Sequence, residues 1–191
     1  MLPFDQVKLR TPRLVLRPQQ SDDAHGLFAI YSDPVATRYL SRLRWSTIAQ
    51  AHEALAKDAQ ARAAGQILRL AVEVAGQPGI VGQVLLFNFE QQSRRAEMGY
   101  ILAPSQWGRG YMHEALHALV DFAFSKLELN RLEAEIDPRN TASARSLERL
   151  GFAKEGHLSE RWIVDGEVSD TGLYGLLARQ WSQRAGAPNA I

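Results

Sequence analysis

The stretch AEMGYILAPSQWGRGYMHEALHAL, residues 96–119, contains a short apolar run, a glycine-rich loop and a run with helical spacing. Beyond the loop, apolar residues recur with the period of a helix, at Leu116, Leu119, Val120, Ala123 and Leu127. The segment RLEAEI, residues 131–136, predicts the next strand. A strand, a helix and a second strand require a crossover connection, which places the two strands in parallel.

The rest of the chain extends this unit into a sheet. LRLAVEV, IVGQVLLFNF and AEMGYIL are β-rich runs separated by short polar or glycine-containing turns, which indicates an antiparallel meander. RLVLRP (13–18) predicts a strand before it, and RWIVDG and TGLYGLL predict two strands at the end. The predicted fold is α+β (α/β): a mixed, mostly antiparallel twisted sheet with a central parallel strand pair, flanked by helices.

Several segments predict the flanking helices. The first lies within residues 21–33, and a second restarts at 33–40, where Asp33 can cap and Pro34 needs no partner for an N–H. Thr47 and Gln50 form a possible capping box for the alanine-rich helix that runs toward Gly65. NTASARSLERL is amphipathic and ends at Gly151.

Composition limits the classes of protein. The 191 residues predict a single domain over 1–178 and a short C-terminal tail over 179–191. Lys plus Arg number 22 against 21 Asp plus Glu, so the net charge of +1 predicts no nucleic-acid or membrane partner. The chain has no cysteine, which excludes disulfides and a cysteine nucleophile. The first residues lack a basic start followed by an apolar run, and we expect a cytoplasmic protein.

The loop WGRG, residues 107–110, places two glycines directly before the predicted helix. A helix N-terminus presents unpaired N–H groups and the positive end of its dipole, which suits phosphate. Gly108 and Gly110 allow close approach of a ligand to the backbone, and Arg109 can add a charge-assisted contact. Since residue 113 is histidine and no Lys-Ser or Lys-Thr follows, the loop is neither GxGxxG nor a P-loop. It predicts a phosphate site, with a plain left-handed turn as the alternative.

The segment HEALH, residues 113–117, overlaps this region and fits the H-E-x-x-H pattern of zinc peptidases. A zinc site needs a third protein ligand, and the extended pattern would need glycine at position 120 and histidine at 123, where valine and alanine stand. The remaining histidines lie in unrelated segments. We predict no metal, and a zinc peptidase stays as an alternative.

The segment PSQWGRGYMHEAL, residues 104–116, resembles the acetyl-CoA pyrophosphate loop of the GNAT N-acetyltransferase superfamily, whose usual form is Gln/Arg-x-x-Gly-x-Gly/Ala. Gly110 matches a motif glycine, while Trp107 replaces Gln or Arg and Met112 replaces the last small residue. TPRLVLRP, AEMGYIL and NTASARSLERLGFAKEG resemble three further segments of the ribosomal-protein N-terminal acetyltransferases of the RimJ/RimL type. The resemblance covers residues 10–178 and implies a GNAT-like fold.

The resemblance implies acetyl-CoA as the acetyl donor. The strand backbone at 99–102, which includes Tyr100, Ile101 and Leu102, would pair with the pantetheine arm and leave an N–H near the thioester oxygen. The loop would hold the diphosphate through Trp107, Gly108, Arg109, Gly110, Tyr111 and Met112. Asn140 and Ser143 match family residues beside the pantetheine, and capping of their helix is the alternative for both.

The implied reaction is acyl transfer from a thioester to a primary amine, which must be neutral to attack, while the departing thiolate must be protonated. The resemblance makes Glu97 the candidate base. The alternative for Glu97 is an exposed strand residue paired with Arg94 or Arg95. Ser143 and Tyr174 are the candidate proton donors.

The resemblance is compatible with more than one class of acceptor. The RimJ/RimL resemblance suggests the α-amine of a protein or peptide N-terminus, but the same framework serves polyamines, antibiotics and amino-acid-like amines. Residues 33–48 and 157–170 would form the acceptor pocket, with candidate contacts at Tyr39, Trp45, Glu160, Trp162 and Asp170. A small-molecule acetyltransferase and a non-catalytic CoA-binding module remain alternatives, and the chain could be a monomer or a homodimer.

Overall fold

The computed structural model describes residues 3–185, and within them the strands form one eight-stranded sheet in the order β1-β2-β3-β4-β5-β6-β8-β7. The strands are Leu9–Arg10 (β1), Leu14–Pro18 (β2), Leu68–Val74 (β3), Ile80–Glu90 (β4), Arg95–Leu102 (β5), Arg131–Ile136 (β6), Ala153–Val164 (β7) and Glu167–Leu177 (β8). β5 and β6 run parallel, and the other neighbours are antiparallel. The predicted mixed sheet with a central parallel pair is confirmed.

Five α-helices flank the sheet in the described part of the chain. They are Ala24–Tyr31 (α1), Ile48–Ala63 (α2), Tyr111–Ser125 (α3), Thr141–Leu150 (α4) and Ala178–Ala185 (α5). The capping box of α2 is confirmed, because Gln50 Oε1 accepts from the Thr47 N–H at 3.0 Å. Within residues 3–185, no helix is both long enough and apolar enough to cross a membrane.

The helices pack on both faces of the sheet. Side chains of α3 and α4, including Leu116 and Leu147, form a first core with Met98 of β5. Side chains of α1 and α2 form a second core with Ile101 of β5. Because successive strand residues point to opposite faces, Met98 and Ile101 place these two cores on opposite sides of the same strand.

The helix predicted at 33–40 is wrong, because this segment forms turns. The Asp33 carboxylate accepts from the N–H groups of Val35 and Ala36 at 2.7 and 2.9 Å, so it does cap, but the chain leaves helical geometry afterwards. Val35 is 56% exposed and Tyr39 is 38% exposed. Ala36 and Leu40 pack against the second core, but Val35 and Tyr39 stay exposed, and a helix this short is marginal on its own.

Helix α5 occupies the start of the segment that we predicted as a C-terminal tail. Residues 178–185 form α5, and Trp181 is buried in the first core, where its ring lies 4.7 Å from that of His117. The ordered fold therefore continues past residue 178. The last part of the predicted tail, 186–191, lies outside the described residues.

Candidate active site

The central parallel pair separates into a fork. β5 and β6 pair only from Arg95 opposite Arg131 to Glu97 opposite Glu133. β5 nevertheless stays paired with β4 as far as Leu102, and β6 stays paired with β8 as far as Ile136. Both strands therefore continue beyond their last shared pair, and a cleft opens between them.

Backbone groups of β5 line this cleft. The Ala103 N–H bonds to the Val81 carbonyl at 2.8 Å, which fixes the phase of the ladder with β4. In an antiparallel ladder, alternate residues direct their backbone groups to the other side. Met98, Tyr100 and Leu102 therefore direct their backbone groups toward β6. Beyond the last shared pair, the Tyr100 backbone and the Leu102 N–H are placed where an extended ligand can add as a strand does.

The glycine loop lies at the open end of the cleft. Gly108 and Gly110 have φ of 75° and 78°, and α3 begins directly after them. Among the described residues, the N–H groups from Gly108 to His113 have no hydrogen-bond partner. A Cβ at Gly108 would meet nothing within 4 Å, so the loop is open to a ligand. Free N–H groups at a helix N-terminus make a cradle that suits a phosphate group.

Trp107 connects the loop to β5. Its indole Nε1 donates to the Leu102 carbonyl at 2.9 Å, while its side chain is 50% exposed. The side chains that follow Trp107 differ in their exposure. Arg109 is exposed, Tyr111 is buried, and Met112 packs partly buried against the first core.

Arg13, in the β1–β2 turn, holds the glycine loop through contacts with Glu114 of α3 and with the loop backbone. Glu114 accepts from the Thr11 hydroxyl at 2.5 Å, from the Arg13 backbone N–H at 2.9 Å and from Arg13 Nε at 2.6 Å. Arg13 also donates to the Arg109 carbonyl at 2.9 Å and stacks over Tyr111. Burial opposes ionisation of Glu114, but the hydrogen bonds from Thr11 and Arg13 outweigh it and lower its pKa.

These contacts explain HEALH without a metal. The carboxylate of Glu114 is occupied by hydrogen bonds from Thr11 and Arg13 of the β1–β2 turn. Within residues 3–185, no group of three or more His, Cys, Asp or Glu side chains is arranged to hold a metal ion. The sequence contains the motif, but its glutamate performs a structural task.

Three hydroxyl groups gather on the first-core face of the fork. The Tyr100 and Ser143 hydroxyls are 2.6 Å apart, and burial raises the pKa of Tyr100 to about 12 despite its hydrogen bond to Ser143. Tyr174, opposite Ala134 of β6, is also buried, and this burial raises its pKa, with a smaller contribution from Glu148. Protonated hydroxyls are suited to donate a proton.

Asn140 caps α4, as its alternative interpretation anticipated. Its Oδ1 accepts from the Ser143 N–H at 3.1 Å. The cap fixes the first turn of α4 and so holds the Ser143 side chain beside Tyr100.

Carboxylates occupy the opposite face of the fork. Glu97 accepts from Asn88 Nδ2 at 3.0 Å. Arg95, one of its two alternative partners from the sequence, pairs instead with Glu133 at 2.7 Å. Glu135 lies two residues past Glu133 on the same face, and burial, followed by the negative charge of Glu97, raises its pKa. The sequence did not indicate Glu135, because no recognised motif contains it.

A pocket of about 550 Å³ opens on the carboxylate side, between the 34–46 turns, the end of β6 and the β7–β8 hairpin. Tyr39 and Trp45 line it, and Trp45 stacks on Tyr31 with 4.5 Å between ring centroids. The two segments predicted to form an acceptor pocket therefore do meet.

The other three candidate acceptor contacts lie on the hairpin outside this lining. Asp170 contacts His157 at 2.8 Å and accepts from the Glu160 N–H at 2.8 Å. Trp162 stacks under the Arg161 guanidinium.

Comparison with known proteins agrees with this geometry. The model of the acetyltransferase (GNAT) domain matches residues 13–153. The uncharacterised N-acetyltransferase p20 of Bacillus licheniformis is 33% identical over 174 residues, which cover 91% of this chain and 98% of that protein. The [ribosomal protein uS5]-alanine N-acetyltransferase of Escherichia coli (strain K12) is 27% identical over 186 residues, covering 93% of this chain and 94% of that protein.

A solved structure shows the same fold. The spermidine N-acetyltransferase from Vibrio cholerae, in complex with CoA and spermine, superposes with a TM-score of 0.80 at 22% identity, covering 90% of this chain and 99% of that one. The family match sets aside the zinc-peptidase and the non-catalytic alternatives. The chain belongs to the GNAT acetyltransferase family and is an acetyl-CoA-dependent N-acetyltransferase.

Proposed function

We propose that the chain acetylates the α-amine of a protein or peptide N-terminus, by direct attack of the amine within a ternary complex. The fork between β5 and β6 carries this proposal, because it has an anion cradle at its open end and a pocket on its carboxylate face. The near full-length similarity to the uS5-alanine N-acetyltransferase supports a protein N-terminus as acceptor.

The cradle and the free edge of β5 would hold acetyl-CoA, which supplies the acetyl group as a thioester. The N–H groups from Gly108 to His113 would bind the diphosphate, with Arg109 as the nearby cation. The backbone of Tyr100 and Leu102 would pair with the pantetheine arm, while Asn140 would keep α4 in place beside it.

Proton transfer would be divided between the two faces of the fork. Glu97 would accept the proton of the amine, directly or through water, with Asn88 fixing its carboxylate. On the other face, Tyr174 or Ser143 would donate to the departing thiolate. The hydroxyl of Tyr174 has no hydrogen-bond partner among the described residues, whereas that of Ser143 is shared with Tyr100. Tyr174 is therefore the better-placed donor.

Tyr174→Phe should lower kcat about 100-fold, which is the lower end of the range for loss of a general acid. Ser143→Ala should lower kcat less than about tenfold, since it leaves the donor in place. Steady-state kinetics with a saturating acceptor gives both values. A larger loss in Ser143→Ala than in Tyr174→Phe would transfer the donor role to the serine.

The competing acceptor is a small amine such as a polyamine, because the spermidine N-acetyltransferase shares the fold and its structure contains spermine. A panel of N-terminal peptides, spermidine and spermine, assayed with acetyl-CoA, separates the two. We expect kcat/KM for the best peptide to exceed that for spermidine at least about tenfold, about 1.4 kcal/mol in transition-state binding. Turnover of polyamines alone would contradict the peptide assignment.

A further inference from the structure

The acceptor pocket is rich in arginine. Its lining includes four arginines and three carboxylates, namely Arg38, Arg42, Arg44, Arg139, Asp137, Asp165 and Glu167. A pocket that selects a polycation should present an excess of carboxylates, because negative side chains attract a cationic acceptor and positive side chains repel it. This lining has the opposite bias.

Two of the three carboxylates are already occupied by arginines of the same pocket. Glu167 lies between Arg38, at 3.0 Å, and Arg139, at 2.6 Å. Asp137 binds the Arg139 guanidinium at 2.5 Å and also accepts from its backbone N–H at 2.8 Å. Hydrogen bonds from Arg139 and Arg38 lower the pKa of Glu167. Burial raises the pKa of Asp137, but hydrogen bonds from Arg139 outweigh this effect and lower it. Both carboxylates are therefore ionised and engaged.

Two arginines of the lining have no such partner. In residues 3–185, neither Arg42 nor Arg44 has a carboxylate at ion-pair distance, and both side chains are exposed. The Arg42 guanidinium lies 5.5 Å from the centre of the Tyr31 ring, and this ring stacks on Trp45. The aromatic pair therefore supports one free cation at the pocket wall.

We propose that the acceptor carries a carboxylate close to its reactive amine, and that Arg42 and Arg44 bind this carboxylate. This proposal rests on the proposed function, in which this pocket receives the acceptor. An arginine fork matches a carboxylate in shape as well as charge. Two sources present this chemistry: an acidic residue directly after a peptide N-terminus, or a free amino acid. Polyamines and lysine-rich N-termini do not.

The test measures kcat/KM for three peptides that share an N-terminal serine followed by two glutamates, two glutamines or two lysines. Free glutamate and glutamine are assayed beside them. Each acceptor is tested with the wild type, with the double variant Arg42→Gln/Arg44→Gln and with Arg179→Gln, a control that removes an exposed arginine on α5. Calorimetric binding of acetyl-CoA to the double variant verifies that the fold and the donor site are intact.

We expect the glutamate peptide to exceed the glutamine peptide at least about tenfold in the wild type and in Arg179→Gln, and less than about threefold in the double variant. Raising the salt from about 50 to 500 mM should shrink the preference, because the screening length falls below the reach of the two side chains. Equal or better turnover of the lysine peptide, or a preference that the double variant retains, would overturn the proposal.

The acceptor arms separate this proposal from the proposed function. If all three peptides are acetylated equally, the N-terminal activity stands and the carboxylate inference is wrong. If only the free amino acids are acetylated, with the same dependence on Arg42 and Arg44, the carboxylate inference stands and the peptide assignment is wrong.

Discussion

Gly110→Asp is expected to weaken acetyl-CoA binding at least about 100-fold, about 2.7 kcal/mol. Gly110 has φ of 78°, and a residue with a side chain adopts this backbone conformation at a cost of about 1–2 kcal/mol. Gly110 also directly precedes the free N–H groups of α3. The aspartate carboxylate at position 110 would also accept hydrogen bonds from these N–H groups, and its negative charge would repel the diphosphate. Isothermal calorimetry of acetyl-CoA with both proteins gives the affinity difference directly.

A matched control separates cradle chemistry from backbone strain. Gly76 has the same φ of 78° and open space around its Cβ position, but it lies in the turn between β3 and β4. Gly76→Asp should carry similar strain and leave acetyl-CoA affinity within about twofold, since it adds no charge near the loop. Gly110→Ala should fall between the two, because it adds strain without charge. Wild-type affinity in Gly110→Asp would remove WGRG from the cofactor site.

The sequence predicted the parts of this protein that depend on short-range signals. The WGRG loop, the α2 capping box and the alternating strands each depend on residues close together in the chain, and each is where the sequence placed it. The parallel pair also followed from local order, since a strand, a helix and a strand in one sheet must cross over.

The parts that the sequence missed depend on contacts between distant residues. From the sequence, Glu114 fits the glutamate of the H-E-x-x-H motif. Its actual partners, Thr11 and Arg13, lie about a hundred residues away in the chain, so the sequence did not indicate them. Asn88 orients Glu97 across two strands, and Arg38 pairs with Glu167 on a hairpin 129 residues further along the chain. Spacing along the chain carries no information about such pairs until the sheet brings them together.

Glu97→Gln should lower kcat/KM about 100-fold at pH 7, and the loss should shrink as the pH rises. At pH 7 most of an α-amine with an ordinary pKa near 8 is protonated, so the base must remove a proton before attack. Above pH 8 the amine is already neutral, and the carboxylate contributes less. A pH profile of kcat/KM from about pH 6 to 10, for wild type and variant, measures this convergence.

Glu135→Gln is the matched control, because it makes the same chemical change on the same face, on the other arm of the fork. We expect a loss below about threefold, since no side chain of the described chain orients Glu135 as Asn88 orients Glu97. The raised pKa of Glu135 suits a base, and this makes the comparison decisive. A large, pH-dependent loss in Glu135→Gln, with Glu97→Gln close to wild type, would move the proton acceptor across the fork to β6.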